Sequence, residues 1–247
     1  MAQNEKHAPG KFPPTRCSVI EAVRSSDPEE RARALEQLAG AYWKPVYKYI
    51  RLKYSRAPEE AGDLTQGFFL EILERDLLQK FAPERSRLRT YLRLCADSFV
   101  LNEIKHAGRL KRGGNALHLA LDVSAAEDEL AEAIDPASIP APGNLEEFFE
   151  KEWIRGLFTA AVADLRSLAE ARGKGTAFRL FEAYDLADSE EVSYNGLAAL
   201  NGISVSDVTN QIAWVRREFR RLARERLRQL CSSDEEYQRE AEALFGG

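Results

Sequence analysis

Residues 193–228, SYNGLAALNGISVSDVTNQIAWVRREFRRLARERLR, constrain the fold most, because one Asn-Gly step divides two runs of helical periodicity there. A short helix from about Ser193 to Leu200 is predicted to end in a sharp turn through Asn201 and Gly202, where glycine takes a positive φ at no steric cost. Ala198, four residues before Gly202, leaves room for two helices to cross closely. Ser204 then offers a hydroxyl as N-cap, and Asp207 at the third helical position suits the positive end of the next helix dipole. In that second helix Val205, Val208, Ile212, Val215, Phe219 and Leu222 recur at three- and four-residue steps, so one face turns to a core and the other is free. This is helix-turn-helix spacing.

The free face opens with Ser206, Thr209 and Asn210 and continues with Arg216, Arg217, Arg220, Arg221, Arg224, Arg226 and Arg228. Short polar tips suit base edges, and guanidinium groups suit phosphates. An ordinary amphipathic hairpin would carry the same apolar stripe. Seven arginines against only Glu218 and Glu225 are what favour a polyanion.

Upstream, the pattern is helical throughout. Residues 1–16, with Pro9, Pro13 and Pro14, read as a loose tail. Asp27 followed by Pro28, Glu29 and Glu30 starts a helix whose inward face is Leu35, Leu38, Tyr42, Val46, Ile50 and Tyr54, with Pro45 expected to break or kink it. Pro58 starts a second, in which Leu64, Phe68 and Ile72 face inward while Asp63, Gln66, Leu70 and Glu74 line another face. Gly67 in its middle costs about 1 kcal/mol relative to alanine, so tertiary contacts must hold it. A third runs through ERSRLRTYLRLCADSFVLNEIKHAGRLKRGG, with Leu88, Tyr91, Leu92, Cys95, Phe99 and Ile104 expected inward. Arg85, Arg87, Arg89, Arg93, Lys105, Arg109, Lys111 and Arg112 are expected outside. Phe99 among these basic residues suits core packing or the stacking of an unpaired base.

Residues 113–143 contain six acidic residues and no Lys or Arg, with Pro136, Pro140 and Pro142 near their end, and read as an extended acidic linker. Asn144 and Glu147 form an expected N-cap pair for a long helix to about Glu170, with Phe149, Trp153, Leu157, Ala161, Leu165 and Leu168 inward. Thr176 opens another, packed through Phe178, Phe181 and Tyr184, and the stretch after Cys231 reads as an acidic tail. No stretch alternates with period two for more than a few residues. The expectation is an all-α protein of two helical domains, 17–112 and 144–247, joined by the acidic linker, the second carrying the helix-turn-helix.

Chemistry-bearing patterns are absent. His7, His106 and His118 stand apart from any metal-ligand, nucleophile-elbow or phosphate-loop motif. Cys17, Cys95 and Cys231 are odd in number and form no CxxC. The expectation is no enzyme, no cofactor and no metal. No run of eighteen apolar residues and no hydrophobic leader occur, which predicts a cytoplasmic protein without a membrane partner. The net charge of −5 hides segregation: residues 85–112 hold eight basic residues against two acidic ones, directly before the acidic stretch.

Together these motifs resemble bacterial RNA polymerase sigma factors of the extracytoplasmic-function (ECF-like) type, from about Arg16 onward. AYWKPVYKYIR, EEAGDLTQGFFLEILER and RSRLRTYLRLCADSFVLNEIK resemble region 2 of that family, and YNGLAALNGISVSDVTNQIAWVRREFRRL resembles region 4. The resemblance implies that Asp63, Leu64, Gln66 and Leu70 dock on core RNA polymerase. It implies that Arg85, Arg87, Arg89, Arg93, Asn102, Lys105 and Arg109 melt and read the −10 element of promoter DNA. A base flipped from the non-template strand is captured there, at an unstacking cost of a few kcal/mol. Ser204, Ser206, Thr209, Asn210, Arg216, Arg217 and Arg220 would read the −35 element as duplex. An anti-sigma protein is a possible further partner. The chain departs from the family at Gly67, where Glu is usual, at Asn201, where an apolar residue is usual, and at Thr209 and Gln211, where Lys or Arg is usual. Two other readings stay open: a helix-turn-helix regulator acting without polymerase, and a helical adaptor whose acidic strips bind a protein.

Overall fold

The computed structural model describes residues 19–106, 121–133, 144–187 and 192–246. Among these every regular element is helical, with no strand. The helices are α1 (Val19–Val23), α2 (Pro28–Lys53), α3 (Pro58–Glu74), α4 (Leu88–His106), α5 (Val123–Ala133), α6 (Leu145–Ala171), α7 (Gly175–Phe181), α8 (Tyr194–Asn201), α9 (Val205–Leu230) and α10 (Asp234–Phe245). The expected loose tail, 1–16, and Arg109 lie outside the described residues. No helix among them is long and apolar enough to cross a membrane.

Local signals fix most helix starts. Asp27 accepts the amide of Glu29 at 3.0 Å and Pro28 fills the first helical position, where a missing N–H is harmless. Pro45 does not break α2, which continues through it, and the proline is itself buried. Asn144 makes no capping hydrogen bond through its side chain, and Glu147 instead pairs with Lys151 at 2.7 Å.

α6 is the spine of the molecule. Its first half, through Leu145, Phe149, Trp153 and Leu157, belongs to one core with the apolar faces of α1 to α4, and that core also takes in Leu227, Leu230, Cys231 and Ala241. Its second half, through Leu165 and Ala169, packs with Phe178, Phe181 and Val215 of α7 and α9. A third cluster, Leu180, Leu197, Ala198, Val208 and Ile212, joins α8 to the head of α9. The largest core therefore runs across the boundary expected near residue 143.

Two ionic layers support this. Lys48, fully buried on α2, reaches Glu152 of α6 at 2.6 Å and Glu129 of α5 at 2.9 Å. A buried ammonium is tolerable only with such partners. Tyr47 donates to Glu127 at 2.7 Å, Arg51 lies 3.1 Å from the same carboxylate, and Lys44 also reaches Glu129. Part of the stretch expected to be an extended strap is therefore a docked helix. Asp122 caps it by accepting the amide of Ala125, Ala126 is buried beneath it, and two of its acids, Glu127 and Glu129, are held by cations of α2.

Candidate nucleic-acid interface

α8 ends as its sequence suggests. Ser193 accepts the amide of Gly196, and Gly202 adopts φ 63°, ψ 33°, with the amides of Gly202 and Ile203 both returning to the carbonyl of Ala198. α9 begins with a reciprocal capping box, Ser204 Oγ accepting from Asp207 N and Asp207 accepting from Ser204 N. Ser204, expected to contact DNA, has its hydroxyl committed to that cap. The inward stripe of α9 is Val208, Ile212 and Val215, extended by Ala223, Leu227 and Leu230, while Phe219 and Leu222 are half-buried and Val205 is exposed.

The structure sorts the seven arginines of α9. Arg216 is held in two hydrogen bonds by Asp185, 3.0 and 2.5 Å, on a single π turn, Glu182–Leu186, that follows α7. Hydrogen bonding to Asp185 keeps the Arg216 pKa above its ordinary value. Arg221 bridges Glu218 and Glu225, Arg226 is bound by both oxygens of Asp164, and Arg228 pairs with Asp234. Arg224 lies over the ring of Phe245. Arg217 and Arg220 are exposed and make no ion pair among the described residues. With 3.6 residues per turn, Ser206, Asn210, Ala213, Arg217, Arg220 and Arg224 fall within an arc of roughly 80° over about 27 Å of helix. Ser206, Asn210, Arg217 and Arg220 are all exposed, so small polar groups and free guanidiniums share one outward strip. Thr209 is also exposed, its hydroxyl donating to the carbonyl of Val205.

α4 is arranged differently from expectation. Its inward residues are Leu88, Leu92, Ala96, Phe99 and Val100, whereas Leu94, Leu101 and Ile104 are exposed. Arg89 and Arg93, expected outside, are 4% and 6% exposed. Arg89 donates to Glu240 at 2.5 Å and to Glu150 at 3.2 Å, and its guanidinium lies over Trp153. Arg93 donates to Glu146 at 2.6 Å and to the hydroxyl of Tyr49 at 3.2 Å. Burial works against the charge on Arg89, yet its bond to Glu240 holds its pKa above the ordinary value. Arg87 reaches Glu240 at 3.1 Å, and Arg85, Asn102 and Lys105 are exposed. The expected strand-opening residues are thus split between a closed basic end and an open end.

The closing carboxylates come from elements that the sequence reading leaves out of the site: Glu146 and Glu150 on α6, and Glu236 and Glu240 on α10. The expected acidic tail is a helix, capped by Ser233 accepting from Glu236 N. Glu236 accepts from Leu88 N, at the start of α4, at 3.4 Å, and from Ser232. Under α10, burial pushes the Cys231 thiol up to about 12, with Glu236 and Glu240 adding to the effect. Such a thiol is inert at neutral pH.

On α3, Asp63 is exposed, Gln66 and Leu70 are half-buried, and Leu64 packs on the core. A cleft of about 580 Å³ between α2, α6 and α9 is lined by Gly40, Ala41, Gly156, Asp164 and Arg226 among others. Asp164 and Arg226 satisfy each other there and offer a ligand no free charge. No protein-family model, no curated protein and no solved structure matches the chain.

Proposed function

We propose that this chain is a sigma factor of the ECF-like type, which binds core RNA polymerase and directs it to promoters without catalysing a reaction. α8 and α9 are its helix-turn-helix. The observation that carries the reading is the outward strip of α9. Base-reading groups at Ser206 and Asn210 precede free phosphate-binding groups at Arg217 and Arg220, as a helix entering the major groove requires. Asp63, Gln66 and Leu70 on α3 form the polymerase dock, and α4, with Asn102 and Lys105 already open, engages the melted strand. Residues 17–112 and 144–247 are then two functional modules that share a core in the free chain.

The test is transcription by core polymerase, with and without this protein, on a genomic fragment library. Discrete start sites that depend on the protein are expected, together with its co-elution with core polymerase. Duplex binding without co-elution would favour a regulator acting alone, and no DNA dependence at all would favour a protein-binding adaptor.

A further inference from the structure

We propose that α10 is an internal cover that competes with nucleic acid for the arginines of α4 and α9. The proposal rests on the promoter-binding reading and concerns the regulation of that same surface. α10 carries five acidic residues against Arg239 alone. One of its carboxylates, Glu240, sits between two guanidiniums at the start of α4, 3.1 Å from Arg87, which precedes the helix, and 2.5 Å from Arg89 in its first turn. Glu236 places a second negative charge at the positive end of α4, on the amide of Leu88. Asp234 takes Arg228, and Phe245 lies beneath Arg224, both on α9. Oxygens shared between guanidiniums and an anion at a helix N-terminus are the contacts a sugar-phosphate backbone makes. α10 thus makes, within the chain, the bonds that DNA would make, and it does so to both basic helices at once.

Glu236 and Glu240 are 4% and 3% exposed, so a polyanion cannot reach Arg89 while α10 is seated. The apolar hold on α10 is slight. Ala241 is buried, whereas Tyr237, Leu244 and Phe245 are only partly so. Its hinge to α9 is the three-residue step Cys231 to Ser233, so α10 can leave while α9 stays rigid. Polymerase or DNA that displaces α10 gains Arg87 and Arg89 at the start of α4, the latter then held only by Glu150 of α6, and Arg224 and Arg228 on α9.

The experiment measures binding of the free protein to fluorescein-labelled random-sequence 30-mers, single-stranded and duplex, across salt concentration. It compares the parent with E236Q/E240Q and with a chain stopped after Ser233, each checked for helicity. Both variants are expected to bind at least tenfold more tightly at low salt. Their plots of log affinity against log salt should steepen by about 0.7 to 0.9 for each arginine released. Hydrogen exchange in E236Q/E240Q should show α10 losing protection while α2 and α6 keep theirs. Parent-like affinity and slope in both helical variants would overturn the proposal and identify the Arg89 and Glu240 pair as purely structural. Promoter-dependent transcription by the parent is scored separately. If that fails while the variants gain DNA binding, the cover stands and the sigma reading falls; the reverse pattern removes only the cover.

Discussion

The ring of Phe99 occupies the space that a side chain at Gly67 would need: a Cβ placed on Gly67 would meet Phe99 Cζ at 2.9 Å. Phe99 in turn lies against Phe68, with ring centroids 6.2 Å apart. The mid-helix glycine is therefore a seat for an aromatic ring from α4, and Phe99 has the packing role rather than a base-stacking one. The Glu usual at this position in the family that the chain resembles would start from the same clash.

Gly67→Ala gains about 1 kcal/mol of helix propensity but meets an overpacking cost of about 1 to 3 kcal/mol, so it should be neutral to destabilising. Shortening the ring removes the conflict. Gly67→Ala introduced into a Phe99→Leu background should be stabilising, with a coupling of at least about 0.5 kcal/mol in a urea double-mutant cycle. Strict additivity would show that the two residues do not press on each other.

Lys48 and Glu152 make the deepest charged contact among the described residues, 2.6 Å apart and both buried, with Arg155 on the second oxygen of Glu152. Lys48→Met leaves the buried Glu152 only the half-exposed Arg155, and Glu129 only Lys44, and should cost about 3 kcal/mol. Lys48→Met combined with Glu152→Met removes the stranded charge and should recover at least half of that loss in thermal unfolding. A double variant as unstable as the single would mean that the pair itself, rather than the uncompensated charge, supplies the stability.

What was legible in the sequence is what is decided within a few residues. The start of α8 near Ser193, the positive φ of Gly202, the Ser204 cap with Asp207 behind it and the stripe Val208, Ile212, Val215 depend on near neighbours and stand as read, while the Ser193 cap and the reciprocal bond from Asp207 are added by the structure. The inward turn of Arg89 and Arg93 was not legible. It depends on carboxylates at Glu146, Glu150 and Glu240, far along the chain, and a periodicity argument counts every arginine as outward. α10 is a different kind of miss. Ser233 and Glu236 have the spacing of a capping box, and Tyr237, Ala241 and Leu244 follow at four- and three-residue steps, but five acidic residues among twelve give the stretch the composition of a solvated tail. Asp122, Ala126 and Leu130 gave the same signal for α5 inside what read as a linker.

The docking of α5 should depend on pH in a defined direction. Burial opposes ionisation of Glu129, but hydrogen bonds from Lys44 and Lys48 hold its carboxyl below the ordinary range. A lowered folded-state pKa gives stability that is complete above the unfolded value, about 4.3, and lost as pH falls through the folded one. Hydrogen exchange of residues 123–133, corrected for intrinsic rates, should therefore stay slow above about pH 5 and rise below about pH 4. In Glu129→Gln the rise attributable to this carboxyl should vanish. Protection unchanged down to about pH 3 would contradict the assignment.

The sorting of the α9 arginines makes the sharpest prediction about recognition. A guanidinium already bound by a carboxylate gives up that pair when it takes a phosphate, so its net contribution to binding is small; a free one neutralises a phosphate at no such loss. Arg217 and Arg220 are free among the described residues, whereas Arg221 is shared between Glu218 and Glu225 and Arg226 is held by Asp164. In holoenzyme bound to a promoter duplex, Arg217→Gln and Arg220→Gln should each flatten the slope of log affinity against log salt by about 0.9. Arg221→Gln and Arg226→Gln should leave it nearly unchanged. Asn210→Ala should behave differently from all four, changing which base is preferred at one upstream position by about 1 to 3 kcal/mol while leaving the salt slope intact. Equal slopes for the free and the paired arginines would show that this strip does not face the DNA backbone. A change in salt slope without a change in base preference at Asn210 would move that residue from the base edges to the phosphates.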